Sequence, residues 1–303
     1  MNFGYGFAPA HHGEMLQGVF RSSGGSFRQG LISLPCDLFW SETFFLSDSS
    51  GVVRVQPANK WKSRRAAEIA LAYLGKRSAG GRLFISSRVP EKLGLGSSSS
   101  DVVAAVRAVA SSFKIRLSPE EISRISIQAE IASDPLAWGR RFLHFAQREG
   151  RVIDEMPSPI PAFEIVGFNA DPMGGGVDTL GLAPPAHTDA EVRLFDDLLG
   201  QFRRGIEKQD IEAIATVATQ SAKLNQRFMK LNGFELLEDM VHRIGALGLQ
   251  IAHSGTVVGF LFPPNMAIDQ NLKRYLAILR DELGVDGFWH FRAGGAFTAA
   301  ELS

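Results

Sequence analysis

The chain has 303 residues, enough to bury a sizeable core and to form two domains, and its 45% hydrophobic and 21% charged residues are an ordinary globular balance. Lysine plus arginine and aspartate plus glutamate stand at 32 each, so no net field draws nucleic acid or an anionic membrane, and a small-molecule partner is expected. The single cysteine, Cys36, excludes an internal disulfide; with no signal-peptide pattern in MNFGYGFAPAHHGE and no apolar run of membrane-spanning length, it points to a soluble cytoplasmic protein.

Taken in order, the first well-patterned element is GRLFISSRVP. Leu83, Ile85 and Val89 alternate with Arg82, Ser86 and Arg88, which predicts a half-buried strand ending at Pro90. After the stretch PEKLGLGSSSSD (90–101), Val102, Val106, Val109 and Phe113 share one helical stripe. Residues 118–132 open with SPEE: a serine cap, a proline at the first helical position and a glutamate three after the cap. The segment PSPIP (157–161) breaks regular structure and marks a domain boundary, giving domains 1–156 and 162–303. Short strands and helices are expected before it. Beyond it lie a strand (Phe163 to Phe168), a polar glycine-rich loop (DPMGGGVDT), helices over 210–228 and 235–247, then a loop, a strand, a helix and a last strand. Helices and strands mixed without strict alternation make the fold class α+β.

The glycine–serine stretch joins a strand to a helix. A helix start offers unpaired N–H groups and a positive dipole end, glycines let backbone approach an anion, and serine hydroxyls add donors. Two readings stand: a phosphate cradle, or a capped structural turn. The lysine-containing phosphate loop is absent, because no lysine follows Gly96, and Ser99 stands where a dinucleotide fingerprint needs its third glycine.

The pattern P-x-x-x-G-L-G-S-S-S resembles the second motif of the GHMP kinases, the superfamily of galactokinase, homoserine kinase and mevalonate kinase. APAHHGEMLQG near the N-terminus looks like its first motif, and AHSGTVVGFLF like its third. Within the superfamily the chain is most similar to the bacterial L-threonine kinases of cobalamin synthesis and propanediol utilisation. The shared features are G-E-x-x-Q-G (Gly13, Glu14, Gln17, Gly18), the loop ending in Asp101, V-D-T at Val177–Thr179, Ser221–Ala222 with Gln226, and A-H-S-G-T. Two departures stand out: His11 and His12 replace the serine and cysteine usual there, and AEIASDP is one residue longer than that group's E-x-x-D.

The resemblance implies a GHMP kinase two-domain fold, an N-terminal domain like domain 2 of ribosomal protein S5 and a ferredoxin-like C-terminal domain, with ATP in the cleft between them. It implies an ATP- and Mg²⁺-dependent kinase phosphorylating an amino-acid hydroxyl, L-threonine first; a different hydroxylated acceptor or an inactive nucleotide-binding regulator are the rivals. Gly94, Leu95, Gly96, Ser97, Ser98, Ser99 and Ser100 would hold the ATP phosphates. Ser98 and Glu130 would serve Mg²⁺; Asp134 and Ser98 would be catalytic, Asp134 as the base for the substrate hydroxyl. His12, Glu14, Gln17, Ser254, Gly255 and Thr256 would contact the acceptor, Glu14 against its ammonium group. Asn59 and Trp61 are candidates for the base pocket, and a homodimer is possible.

Overall fold

The computed structural model describes residues 2–22, 24–172, 187–252, 256–267 and 270–295. Its spine is a pair of long antiparallel strands, β1 (Phe3–Arg21) and β2 (Phe27–Asp48). The expectation of only short strands before residue 157 is therefore corrected. Residues 8–16 of β1 are buried without interruption, so the apolar–polar alternation that signals a strand is lost there. The pairing also slips at Pro9/Ala10, His11/Glu14 and Glu14/Leu16. Such irregularities bend a strand and re-aim its side chains, and His11 to Glu14 lie at the bend.

One end of the pair continues into β4 (Gly80–Ser87), which runs antiparallel to β2, and β3 (Val53–Gln56), which runs parallel to β4 across the connecting helix α1 (Trp61–Tyr73). α2 (Ser97–Ser112) and α3 (Pro119–Glu130) complete this layer. β1 lies directly on α2: a Cβ at Gly4 or Gly6 would sit 2.0 Å from the carbonyl oxygen of Ala108 or Ala104. Only glycine permits that approach. α2 is buried on nearly all sides, and Arg107 on it donates to the carbonyls of Phe7 and Ala137, fastening β1 to the short 3₁₀ turn Pro135–Trp138. A short hairpin, β5 (Leu143–Ala146) and β6 (Arg151–Glu155), attaches to β2.

PSPIP lies between β6 and β7 (Phe163–Asn169) and carries no regular structure. Three helices follow where two were read: α4 (Asp189–Lys208), α5 (Ile211–Asn225) and α6 (Phe234–Arg243). Two strands, β8 (Gly248–Ile251) and β9 (Val257–Phe262), precede α7 (Gln270–Leu283) and β10 (Phe288–Ala293). The whole sheet runs β10-β7-β9-β8-β1-β2-β4-β3, so the α+β assignment holds. One core packs α1–α3 against the first strands; a second packs Met15, Leu16, Phe20, Ile32 and Leu34 against α4 and α5; a third fills the space between β7–β9, α6 and α7. No described helix is long and apolar enough to cross a membrane.

Candidate active site

The glycine–serine loop leads into α2 as its context suggests. Gly94 and Gly96 take left-handed conformations, φ 80° and 74°, and Gly96 is the helix N-cap. No side chain caps the first N–H groups of α2, leaving them directed at the space before the helix. Leu95 anchors the loop: it is buried with Ala10, Val89, Ala252 and Val257, and its carbonyl accepts from the His11 N–H at 3.3 Å.

The serines divide their tasks. Ser98 Oγ donates to Glu130 Oε2 at 2.7 Å, and Ser99 Oγ donates to Glu130 Oε1 at 2.9 Å while accepting from the Asp134 N–H at 3.2 Å. Ser100 Oγ, buried, donates to the Pro9 carbonyl at 2.8 Å and so holds the loop on β1. Asp101 accepts from Ser41 Oγ and Lys60 Nζ, both at 2.6 Å, and Lys60 also reaches Glu91 at 2.5 Å. This Lys60 bridge brackets the loop, and sequence reasoning missed it. No local signal pairs Lys60 with two acids from other elements.

Glu130 and Asp134 arrive through α3. Its capping box is present, with Ser118 and Glu121 each bonding the other's backbone N–H. Ile131, at φ 74°, then turns the chain back, and Asp134 stands at the N-cap position of the 3₁₀ turn, its side chain making no cap hydrogen bond there. The one-residue-longer acidic segment thus still brings both carboxyls to the loop. Burial pushes the Glu130 carboxyl up to about 7; the Ser98 hydrogen bond opposes this, and the Asp134 charge adds to it.

The irregular stretch of β1 supplies His11 and Glu14. His11 Nε2 lies 3.2 Å from Asp134 Oδ2 and Nδ1 3.5 Å from Glu14 Oε1, and the imidazole is 1% exposed. Burial alone would lower its pKa, but Asp134 and Glu14 hold it up at about 9. The Glu14 side chain, expected against a substrate ammonium, is fully enclosed and lies beside His11. His12, expected against the acceptor, is engaged within the fold. Its Nε2 accepts from the Trp289 indole N–H at 2.8 Å and its Nδ1 meets the Gln250 amide at 2.5 Å. A ring that accepts at Nε2 carries its proton on Nδ1, so the Gln250 amide oxygen belongs against that nitrogen. Burial holds His12 down at about 3, with its own backbone opposing and His11 adding repulsion. It is a neutral bridge between β1 and β10.

Gln17 meets α5 through its backbone: its N–H donates to Ser221 Oγ at 3.0 Å and its carbonyl accepts from Asn225 Nδ2 at 3.0 Å. Gln226 accepts from the Leu231 N–H at 2.8 Å. The matched Ser221 and Gln226 therefore brace the strand and its helix. Thr256 Oγ1 donates to Asn169 Oδ1, and its carbonyl accepts from the Ala170 N–H. Ser254, Gly255, His253 and Val177–Thr179 lie outside the described residues. Asn59 is exposed, and Trp61 opens α1 half-exposed, beside Lys60. Among the described residues, no three His, Cys, Asp or Glu side chains cluster as a metal-ligand set. A cavity of about 670 Å³, lined in part by Arg107, Lys114 and Arg116, lies at the opposite end of α2 and shares no residue with the site.

The helix-start loop with its serine–glutamate contacts lies wholly within residues 62–137, and that stretch matches the family model for the GHMP kinases N terminal domain. A homoserine kinase from Cytophaga hutchinsonii superposes with a TM-score of 0.71 at 15% identity, over 97% of this chain and 95% of its own. A mevalonate kinase from methicillin-resistant Staphylococcus aureus superposes at 0.63 and 17% identity, over 97% of this chain and 100% of its own. The fold is thus that of the GHMP kinases across nearly the whole chain, and the resemblance read from the three motifs is borne out. An L-threonine kinase of Salmonella typhimurium is 23% identical over 256 residues, 84% of this chain and 81% of that protein.

Proposed function

We propose that this GHMP kinase-fold chain is an ATP- and Mg²⁺-dependent phosphotransferase that phosphorylates the hydroxyl of a small amino acid, L-threonine first. The observation that carries this reading is the meeting of Ser98, Ser99, Glu130 and Asp134 at the uncapped start of α2. The amides of Gly96 to Ser98 suit phosphate oxygens, because backbone donors and the helix dipole act together there. Glu130 suits a hard divalent cation. It is a buried carboxylate held by two serine hydroxyls and raised by burial, and one carboxylate completed by phosphate oxygens and water is a common magnesium environment. Bound there, Mg²⁺ would neutralise charge developing on the phosphates. Asp134 accepts the proton of the substrate hydroxyl as that oxygen bonds to the γ-phosphorus and the bond to the departing ADP oxygen breaks. Lys60 holds the loop through Asp101 and Glu91.

L-Threonine leads because the similarity to the Salmonella typhimurium L-threonine kinase spans most of both chains. The homoserine kinase superposition makes homoserine the second acceptor to test. The test is an ATP-consumption screen with L-threonine, L-homoserine and L-serine side by side. L-Threonine should give the highest kcat/KM; a clear preference for another acceptor sinks that assignment, and silence on all three sinks the amino-acid reading. We expect Ser98→Ala to lower kcat by about two orders of magnitude with the fold intact, in line with the loss of one positioned charge-handling group. Unchanged turnover in that variant removes the loop from the chemistry.

A further inference from the structure

We propose that His11 is a positioning residue for this kinase: its imidazole, clamped between Glu14 and Asp134, fixes the Asp134 carboxylate and supplies the positive charge that keeps it ready to accept a proton beside the phosphates. The inference rests on the kinase reading above and adds to it a residue that the superfamily motifs do not assign.

The geometry is specific. Both ring nitrogens of His11 lie near carboxylates, Nε2 3.2 Å from Asp134 Oδ2 and Nδ1 3.5 Å from Glu14 Oε1, with His11 and Glu14 enclosed and Asp134 at the rim, 10% exposed. A ring placed only to fill space has no reason to direct both polar atoms at acids. The same ring lies against the phosphate loop. A Cβ at Gly96 would sit 2.6 Å from His11 Cδ2 and 3.1 Å from Asp134 Oδ2, and the His11 N–H holds the Leu95 carbonyl. His11 therefore touches the loop, the base and the acid behind it, and a displacement of the loop reaches Asp134 through the ring.

The charges around it require a cation. β1 contributes Glu14; the segment after α3 contributes Asp134, with Glu130 close enough to feel its charge. α2 contributes Asp101, which is already engaged by Ser41 and Lys60. The neighbouring His12 is held neutral by Trp289 and Gln250. His11 is thus the cation between two buried acids, and an imidazole held up at about 9 is the form that donates from both nitrogens. Engaging Oδ2 also fixes which face of Asp134 is turned to the hydroxyl, as an orienting group does for a catalytic base. During transfer His11 keeps its proton; the substrate's proton goes to Asp134.

The test compares His11→Gln, Asp134→Asn and the double variant, measuring kcat, KM and melting temperature from pH 6 to 9. Glutamine keeps a donor and removes the charge. We expect His11→Gln to lower kcat about 10- to 100-fold with KM for ATP within about threefold, and to move the acidic limb of kcat upward by roughly one pH unit, as loss of a cationic neighbour requires. In the Asp134→Asn background, His11→Gln should change kcat by less than about threefold, because residues acting through one another are not additive. Unchanged kcat in His11→Gln, an equal fall at every pH, or the same fall repeated on Asp134→Asn overturns the proposal. Should His11→Gln not fold, Glu14→Gln leaves the imidazole in place and removes the partner that helps it keep its proton; a fall of kcat that begins at lower pH on the alkaline side than in the parent supports the clamp, and an unmoved alkaline limb refutes it. Asp134→Asn at full kcat removes the base reading itself, whereas a slow Asp134→Asn beside a normal His11→Gln removes only His11.

Discussion

At the scale of single residues, the site is destabilised by the group that makes it useful. Glu130 is a buried acid whose carboxyl is pushed up to about 7 by its surroundings. Its folded pKa lies above the unfolded value, so the folded state holds the proton longer. Stability is then lost as pH rises from the usual carboxylate range through about 7, and the penalty is fully present above that. Glutamine mimics the protonated acid. We expect Glu130→Gln without ligand to be more stable than the parent by about 1–3 kcal/mol at pH 8 and little different at pH 4.5, while losing nearly all turnover. Urea midpoints at the two pH values check this; a less stable variant at pH 8 shows that the ionised carboxylate is not under strain. His11 works in a neighbouring window. Its folded pKa, about 9, lies above the ordinary imidazole value, so its contribution is fully present below about pH 6.5 and disappears as pH rises through about 9. His11→Gln should therefore melt below the parent at pH 6 and approach it above pH 9. A gap that stays constant with pH would mean that the lost contact is packing and not charge.

Among the elements, the start of α2 and the cap of α3 bear most directly on the site. Alanine at position 96 would need a left-handed conformation, which disfavours any side chain by about 1–2 kcal/mol, and its Cβ would strike His11 Cδ2 at 2.6 Å. The ring cannot give way, because it is buried between two acids. We expect Gly96→Ala to raise KM for ATP about tenfold or more, since a shift of about 1.4 kcal/mol is a factor of ten in binding; nucleotide titration with and without acceptor checks this. Ser118→Ala removes a cap at the other end of the helix that carries Glu130. A loss of about 1 kcal/mol, seen as a fall in Tm of about 2–4 °C, is expected. These elements were legible in the sequence because their signals are local: SPEE contains its own cap and return bond, and PEKLGLGSSSSD sits between a patterned strand and a patterned helix. β1 and β2 were not legible as long strands. Burial on both faces and three register slips erase the period of two, and tertiary packing decides the matter. α4 went unread although Val192, Phe195, Leu198, Phe202 and Ile206 trace a helical stripe. Asp134 beside His11, and Glu91 and Asp101 on Lys60, come from distant segments, and no spacing rule reaches across such gaps.

For the whole molecule, the break at PSPIP and the boundaries of packing do not coincide. Leu31 and Ile32 are neighbours on β2, yet Leu31 packs in the core with α1–α3 and Ile32 in the core with α4 and α5, as opposite faces of one strand require. Met15, Leu16, Phe20, Ile32 and Leu34 all precede residue 157, and all are at most 3% exposed because elements after residue 159 cover them. Uncovering five such side chains costs about 7–15 kcal/mol at roughly 1.5–3 kcal/mol each, as large as the entire stability of a typical domain, about 5–15 kcal/mol. A fragment of residues 1–156 is therefore expected not to fold cooperatively, although it holds the phosphate loop, Glu130, Asp134 and His11. Urea titration followed by circular dichroism should show a sloping, featureless change for the fragment, with strong binding of a hydrophobic dye, against a sharp transition for the full chain. A fragment with a sharp transition near the full chain's midpoint would show that α4 and α5 only lie over these side chains. The bend in β1 that presents His11 to Asp134 would then need nothing from the second half of the chain to hold it.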